Sequence, residues 1–266
     1  MPEPAVEIVT DKLYALGGLV PLDGRISWFA PSATGYAPNW SYLLLEGDDA
    51  LLIDSGLPAH REAILAQLDG LLTPEAALSI LHTRIAEYDS VGNTAAICEA
   101  FRVERLLAHF PSGLLMDFES SGGETPSAEE VVPSAGDPVT VSGNGGRAVV
   151  LVGAPLRLLL TFWAYDGETK TLFTSDSFGH VALADPSDPP FVTEADDATE
   201  PSDVRRHLYA KFDWLLGAER TALADELAAI FESHDIDTIA PMHGRVLKGR
   251  QVVDRHHDLV QQALRN

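Results

Sequence analysis

Four side chains of types that bind metal ions follow segments that the sequence predicts to be buried strands. Glu87 and Asp89 come after a strand that ends at Leu81. Because they alternate along the chain, their carboxylates are expected to point the same way. Asp176 and His243 follow two later strands. Carboxylate oxygens and an imidazole nitrogen together suit one Zn, Mn or Fe ion. The strand ends are therefore expected to bring these four candidate metal-binding residues together, with Asp89, Asp176 and His243 as the protein ligands of a single ion.

Three further residues are expected to support this site. Asp54 follows an apolar strand and is interpreted either as a carboxylate that orients a ligand or as the cap of a turn. Ser90 is expected to be a weak additional donor. His180 follows the segment of Asp176 and is interpreted as a substrate contact or a supporting group.

The remaining histidines are assigned structural positions. His60, His207, His256 and His257 fall in helical surface patterns and are expected to be solvated. His82 has the wrong strand parity to join the carboxylates. Since no serine lies in a nucleophile-elbow pattern, a Ser-His-Asp hydrolase is not supported.

Two hairpins with one pattern position the candidate ligands. Residues 42–56 and 161–179 each read as strand, turn and apolar strand, and each pattern ends in an aspartate followed by Ser and Gly. Helices are expected after Pro58, over 91–101, around 223–231 and from about residue 251, and strands at 78–81, 106–107 and 238–240. This alternation predicts an α/β fold in which helices cover the sheets.

Two segments are expected to be loops. Residues 120–137 are rich in Ser, Gly, Glu and Pro, and residues 184–203 are rich in Asp, Glu and Pro. The second is interpreted as an exposed acidic loop, with a lid near Asp176 as the alternative.

Length and charge limit the classes of function. The 266 residues fit a single layered domain over 1–266. A net charge of −22 repels phosphate, so nucleic acid is not expected as a partner. The chain starts without a secretory signal and has no long apolar run, so no membrane partner is expected. With Cys98 as the only cysteine, a cytoplasmic location is predicted. The acidic surface fits either a halophilic origin or an acidic mesophilic protein.

Several segments together resemble one family. The run from Glu87 to Asn93, the segments around Asp176 and His243, and the hairpin over residues 39–56 are similar to the metallo-β-lactamase superfamily, in its flavodiiron and oxygen-binding di-iron branch. The likeness spans nearly the whole chain. It implies an αββα four-layer sandwich, with Asp176 in the bridging position and His243 as the final ligand.

The sequence departs from that family at the histidine positions. Ile85, Ser90 and, by a looser alignment, Arg157 stand where the family has histidines. The resemblance therefore implies a depleted centre that holds at most one Fe, Zn or Mn ion. We hypothesise that Arg157 pairs with Glu87 and takes the electrostatic role of the first metal.

Three functions stay open for such a chain. They are oxygen-linked iron chemistry, hydrolysis by a metal-bound water, and a non-catalytic role in binding a ligand or a protein. Ile85 and Arg157 would occupy the volume that a metal ion takes in the family, which favours the non-catalytic binding role. Whether the chain is an enzyme is left undecided. No flavin is expected on this chain, because the flavodoxin domain of the flavodiiron enzymes is not expected here. A small molecule or dioxygen is the expected partner, and a homo-oligomer stays open.

Overall fold

The computed structural model describes residues 4–84, 87–109, 128–142 and 145–266, which include two seven-stranded sheets. The first sheet has its strands in chain order: β1 (Val6–Val9), β2 (Leu13–Pro21), β3 (Tyr36–Glu46), β4 (Asp49–Ile53), β5 (Ala77–Leu81), β6 (Val103–Leu107) and β7 (Glu129–Val131). The second sheet comprises β8 (Pro138–Thr140), β9 (Ala148–Gly153), β10 (Phe162–Asp166), β11 (Thr171–Ser175), β12 (Phe191–Val192), β13 (Thr238–Pro241) and β14 (Val246–Lys248).

Six α-helices lie within the described residues. They are α1 (Arg61–Leu71), α2 (Tyr88–Val91), α3 (Thr94–Ala100), α4 (Pro201–Lys211), α5 (Arg220–Ser233) and α6 (Arg250–Arg265), with short 3₁₀ helices at Pro58–His60 and Asp213–Gly217. Across the same residues, no helix combines the length and the apolar character needed to cross a bilayer.

The described residues divide into two compact units. The first unit comprises Met1–Gly18, Asn39–Gly153 and Leu159–Ala164, and the second comprises Leu19–Pro38, Ala154–Leu158 and Tyr165–Asn266. That the chain forms a single domain stays a prediction.

In the first unit, parallel strands bring three chain segments to one edge. β4, β5 and β6 pair in parallel, and Ile53 lies opposite Leu81, which lies opposite Leu107. The residues that follow these strands therefore emerge together. Ile64 and Leu68 of α1 and Ile97 of α3 pack against the apolar strand residues and keep this edge in place.

The second unit repeats this arrangement with β11 and β13. They pair in parallel, with Phe173 opposite Ala240 and Ser175 opposite Pro241, so Asp176 and His243 follow strands that end together. β13 pairs antiparallel with β14, which pairs in parallel with β12.

Most of the predicted elements are present, with informative differences. Both hairpins and the helices near residues 58, 223–231 and 251 form as predicted. The predicted helix over 91–101 is two helices, because the chain leaves helical geometry at Asn93. Residues 120–127 lie outside the described residues. The rest of that predicted loop contains β7, while 184–203 contains β12 and the start of α4.

Candidate functional site

Asp54 organises the edge formed by β4, β5 and β6. It adopts a left-handed backbone conformation (φ 59°), which aspartate tolerates better than most residues. Its carboxylate accepts hydrogen bonds from the backbone N of Thr83 at 2.8 Å and from the Thr83 hydroxyl at 2.6 Å. The hydroxyl of Ser90 also donates to it. Asp54 thus fixes the backbone on both sides of the Glu87 segment.

Burial changes the chemistry of this carboxyl group. Burial raises the pKa of Asp54 from 3.8 to about 6, although the charge of Arg84 and the hydrogen bonds from Ser90 and Thr83 act in the opposite direction. With a pKa of about 6, Asp54 is ionised at pH 7 and takes up a proton under mildly acidic conditions.

Arg84 is the centre of the first unit's cluster, and the sequence did not single it out. Its side chain is 1% exposed, and its guanidinium binds the carboxylates of both Glu87 and Asp89, the latter at 2.5 Å from Nη2 to Oδ1. A guanidinium carries donors in a planar fork, so it can hold two carboxylates at once. Glu87 and Asp89 are thus brought together, as predicted, but around a fixed organic cation.

Asn93 locks the loop that carries these carboxylates. Its side-chain amide donates to the carbonyl oxygens of Ser55, Gly56 and Leu57 at 2.9, 3.0 and 2.9 Å. The backbone N of Ser55 in turn donates to the carbonyl of Ser90 at 2.8 Å. The loops after β4 and β5 are therefore one hydrogen-bonded assembly.

Asp176 is the centre of the second unit's cluster. Its Oδ1 lies 3.0 Å from Nζ of Lys211 and 3.2 Å from Nδ1 of His243, and all three side chains are at most 5% exposed. Lys211 is the last residue of α4, so the helix delivers the ammonium group to the strand ends. A Cβ on Gly179 would overlap the carbonyl of His243, so the close approach of the two segments requires glycine there.

An indole ring fixes His243 from the other side. Trp28 stacks on the imidazole with ring centroids 4.1 Å apart and planes within 8° of parallel. This contact holds the ring with Nδ1 facing Asp176.

The expectation that His207 and His256 are solvated is wrong. They are 5% and 0% exposed, because both lie on the inward faces of their helices, α4 and α6. Nδ1 of His256 lies 2.7 Å from Nε2 of His180, and its Nε2 lies 3.2 Å from a carboxylate oxygen of Asp197. His180 thus joins an imidazole pair in the second unit.

Burial keeps these imidazoles neutral. It lowers the pKa of His256 to about 4 and, together with the charge of Lys211, lowers that of His207 to about 3. Burial and the neighbouring histidines hold the pKa of His180 well below its usual range. For Asp197, burial acts to raise the pKa, but the hydrogen bonds from the backbone and side chain of Thr199 and from Arg255 outweigh it, so the pKa is lowered.

The predicted ligands therefore lie as two pairs, each within one unit. Among the residues that the structure describes, no three His, Cys, Asp or Glu side chains are grouped so that they could hold a metal ion. The convergence of both pairs on one ion stays a prediction. Arg157 is exposed and its guanidinium donates to the carbonyl of Ala154, and its pairing with Glu87 also stays a prediction.

Comparison with solved structures establishes the fold. Rubredoxin oxygen:oxidoreductase from Desulfovibrio gigas superposes with a TM-score of 0.71 at 19% identity, over 97% of this chain and 61% of that chain. The chain also has the fold of the flavodiiron protein from Giardia intestinalis, which superposes with a TM-score of 0.68 at 14% identity, over 99% of this chain and 60% of that chain. The predicted αββα sandwich of metallo-β-lactamase type is confirmed, and so is the resemblance to the flavodiiron branch.

Two more proteins share the likeness. A fragment (1–254) of putative diflavin flavoprotein A 5 from Nostoc sp. PCC 7120 superposes with a TM-score of 0.68 at 14% identity, over 99% of this chain and 97% of that chain. The curated "Putative diflavin flavoprotein A 2" from Nostoc sp. is 26% identical over 214 residues. That alignment covers 79% of this chain and 34% of the relative, so the chain spans about a third of that protein's length. No family model matches the chain.

Proposed function

We propose that this chain is a flavodiiron-fold protein in which cationic side chains replace the metals and which binds a ligand or partner without catalysing a reaction. The observation that carries the proposal is the buried guanidinium of Arg84 on Glu87 and Asp89. A positive charge between two carboxylates does the electrostatic work that a metal ion would do.

Lys211 supports the same interpretation in the second unit. Its ammonium lies on the Asp176 oxygen that His243 also faces, so a metal ion at this oxygen would have to displace the lysine. The ligand residues that the chain retains therefore do not fit a di-iron centre. Loss of one partner from such a buried pair is costly, because it leaves the other charge buried and uncompensated.

The metal content of the purified protein, with an optical spectrum recorded in air, tests this proposal. We expect less than about 0.1 metal ion per chain after growth with added Fe, Zn and Mn, and no charge-transfer band. Two irons with such a band would favour oxygen-linked chemistry, and one tightly held zinc would favour hydrolysis. Either result would overturn the proposal.

A matched pair of variants sharpens the test. Lys211→Met removes the buried ammonium, whereas Lys170→Met removes an exposed one that pairs with Asp235 at 2.7 Å. We expect only Lys211→Met to gain affinity for Zn or Mn in equilibrium dialysis, because it alone uncovers Asp176 and His243. Equal metal binding by both variants and the parent would contradict the role given to Lys211.

The cytoplasmic location, the lack of nucleic-acid or membrane partners, and dioxygen as an alternative ligand stay predictions. They rest on composition and on the family likeness. The charge of −22 continues to argue against phosphate backbones as partners.

A further inference from the structure

A cavity of about 440 Å³ lies within the second unit and is of the size that takes small organic ligands. His180 and His207 form its inner wall, and Phe29 and Val192 supply apolar surface. Arg206 lines the cavity from the exposed side of α4. The cavity therefore leads from solvent-exposed side chains to two buried imidazoles.

The orientation of the protons on His180 follows from its partners. Asp197 is ionised and can only accept, so Nε2 of His256 must carry the hydrogen that faces it. A neutral His256 then has a lone pair on Nδ1, which accepts from Nε2–H of His180 across 2.7 Å. Nδ1 of His180 therefore carries no hydrogen and presents a lone pair that can accept a hydrogen bond. It has no hydrogen-bond partner among the described residues, although the side chain is 93% buried.

His207 offers the complementary group. Neither of its ring nitrogens has a hydrogen-bond partner within the part of the chain that the structure describes, and the side chain is 5% exposed. A neutral imidazole carries one donor and one acceptor. The rings of His180 and His207 are 6.0 Å apart between centroids and are inclined by 67°. A buried donor and a buried acceptor thus belong to two adjacent side chains of the cavity wall and lack partners among the described residues, which is costly unless a ligand or water supplies them. Each of these nitrogens exposes less than 1 Å², so a ligand reaches them by displacing the wall atoms that cover them.

The charged residues of the wall balance one another. Asp203 pairs with Arg206 at 2.6 Å, and Asp196 pairs with Arg245 at 2.8 Å. Asp197 pairs with Arg255. Since every carboxylate of the lining has a guanidinium partner, the wall favours a ligand without net charge.

We propose that this cavity binds a small neutral molecule through a hydroxyl group that donates to Nδ1 of His180 and accepts from His207. A hydroxyl is the smallest group that can do both. A ring attached to this hydroxyl can contact the apolar part of the wall, where Phe29 packs edge-on against His207 with ring centroids 5.1 Å apart and Val192 lies in the same lining. The inference deepens the proposed function, since it names the class of ligand that a non-catalytic member would bind.

Resorcinol is a suitable probe, and 1,3-dimethoxybenzene is its matched control. Both are neutral rings of similar size, but only resorcinol carries hydroxyl donors. We expect resorcinol to bind with a Kd on the order of 1 mM in ligand-observed NMR, and the dimethoxy compound to bind about tenfold more weakly or not at all. His180→Phe keeps a ring in place and should weaken resorcinol at least about tenfold. His257→Phe is the control variant. His257 stacks on Phe231 and does not line this cavity, so its replacement should leave resorcinol binding unchanged.

A measurement on the parent protein protects the test against misfolded variants. Long-range ¹H–¹⁵N correlation spectra should show His180 and His256 with the proton on Nε2 and none on Nδ1. A proton on Nδ1 of His180, equal binding of both compounds, or undiminished binding by His180→Phe would overturn the proposal. So would no resorcinol binding at ten times the expected Kd, which would mean that the imidazoles are satisfied by water alone. Metal analysis decides the proposed function separately, so either idea can fail without the other.

Discussion

The two units neutralise their buried carboxylates in different ways. In the first unit, one guanidinium holds both Glu87 and Asp89, so two negative charges share one positive charge. In the second unit, one ammonium holds only Asp176, and an imidazole lies beside the same oxygen. The comparison teaches that the two clusters should respond differently to loss of the cation. Loss of Arg84 takes a cation away from two carboxylates, whereas loss of Lys211 takes one away from a single carboxylate, whose oxygen His243 still faces.

The largest effect is expected from Arg84→Met. This change leaves the buried Asp89 and the partly buried Glu87 without their guanidinium, and breaking a buried ion pair in this way costs about 3–5 kcal/mol. Lys211→Met should cost less, because only one carboxylate, Asp176, loses its cation. Urea unfolding at pH 7 measures both free energies of unfolding.

Arg102→Met is the control for this prediction. Arg102 is 62% exposed and pairs with Glu104 at the surface, so its loss should cost at most about 1 kcal/mol. If Arg84→Met lowers the free energy of unfolding no more than Arg102→Met does, the buried guanidinium is not needed to hold the cluster together.

The next effect is acid destabilisation concentrated in the second unit. His207 and His256 have pKa values lowered to about 3 and about 4, so they stay neutral in the fold while their unfolded counterparts protonate near pH 6.5. The unfolded state then binds more protons, and the free energy of unfolding falls as the pH drops below 6.5. Between pH 6.5 and 5 each such histidine removes about 2 kcal/mol.

The first unit should resist the same change. Its His82, with a pKa lowered by burial to about 4, acts like the histidines above. Asp54 acts in the opposite direction, because its raised pKa of about 6 makes the folded state bind the extra proton as the pH falls from 6 towards 4. Hydrogen exchange at pH 7 and pH 5, corrected for intrinsic rates, should show protection lost first in the second unit. Equal loss in both units would refute this difference.

A smaller difference in stability is expected between variants in the loops that carry the two clusters. Asn93→Ala removes donors to three carbonyls in the first unit and should cost about 1–3 kcal/mol. Thr174→Val removes one hydrogen bond in the second unit, from its hydroxyl to the carbonyl of Ser177 at 2.8 Å, and should cost about 1 kcal/mol. Thermal or urea unfolding measures both, and the reverse order would show that the Asn93 assembly is unimportant for stability.

The smallest effect concerns salt. If the charge of −22 reflects adaptation to high salt, the melting temperature should rise between low and molar NaCl, because screening weakens the repulsion between surface carboxylates. The loss caused by Arg84→Met should change little with salt, since buried pairs are poorly screened. A melting temperature that does not rise with NaCl concentration would favour an acidic mesophilic origin.

The sequence predicted the strand ends better than the side chains that meet there. Alternation of apolar strands and helices placed Asp54 and Asp176 correctly, because parallel strands that end together gather whatever follows them. Lys211 could not be found in this way, since it lies on a helix 35 positions beyond Asp176 and only the packing of α4 brings it there.

For two other residues, the sequence does contain a pattern that indicates their role. Arg84 lies between the β5 end and Glu87, where a lone arginine beside two carboxylates indicates a local ion pair. His256 is spaced three and four positions from Val253 and Val260, which is the apolar face of α6 and not its surface. Polar residues on an apolar helical stripe deserve to be interpreted as buried and partnered.

The stack of Trp28 on His243 provides an optical reporter inside the molecule. Indole emission is sensitive to a charge brought against the face of the ring. Any event that protonates or engages His243 should therefore alter the emission of Trp28, and the difference spectrum against Trp28→Phe isolates that signal from the other three tryptophans. Occupancy of the second cluster can thus be followed in solution without a label.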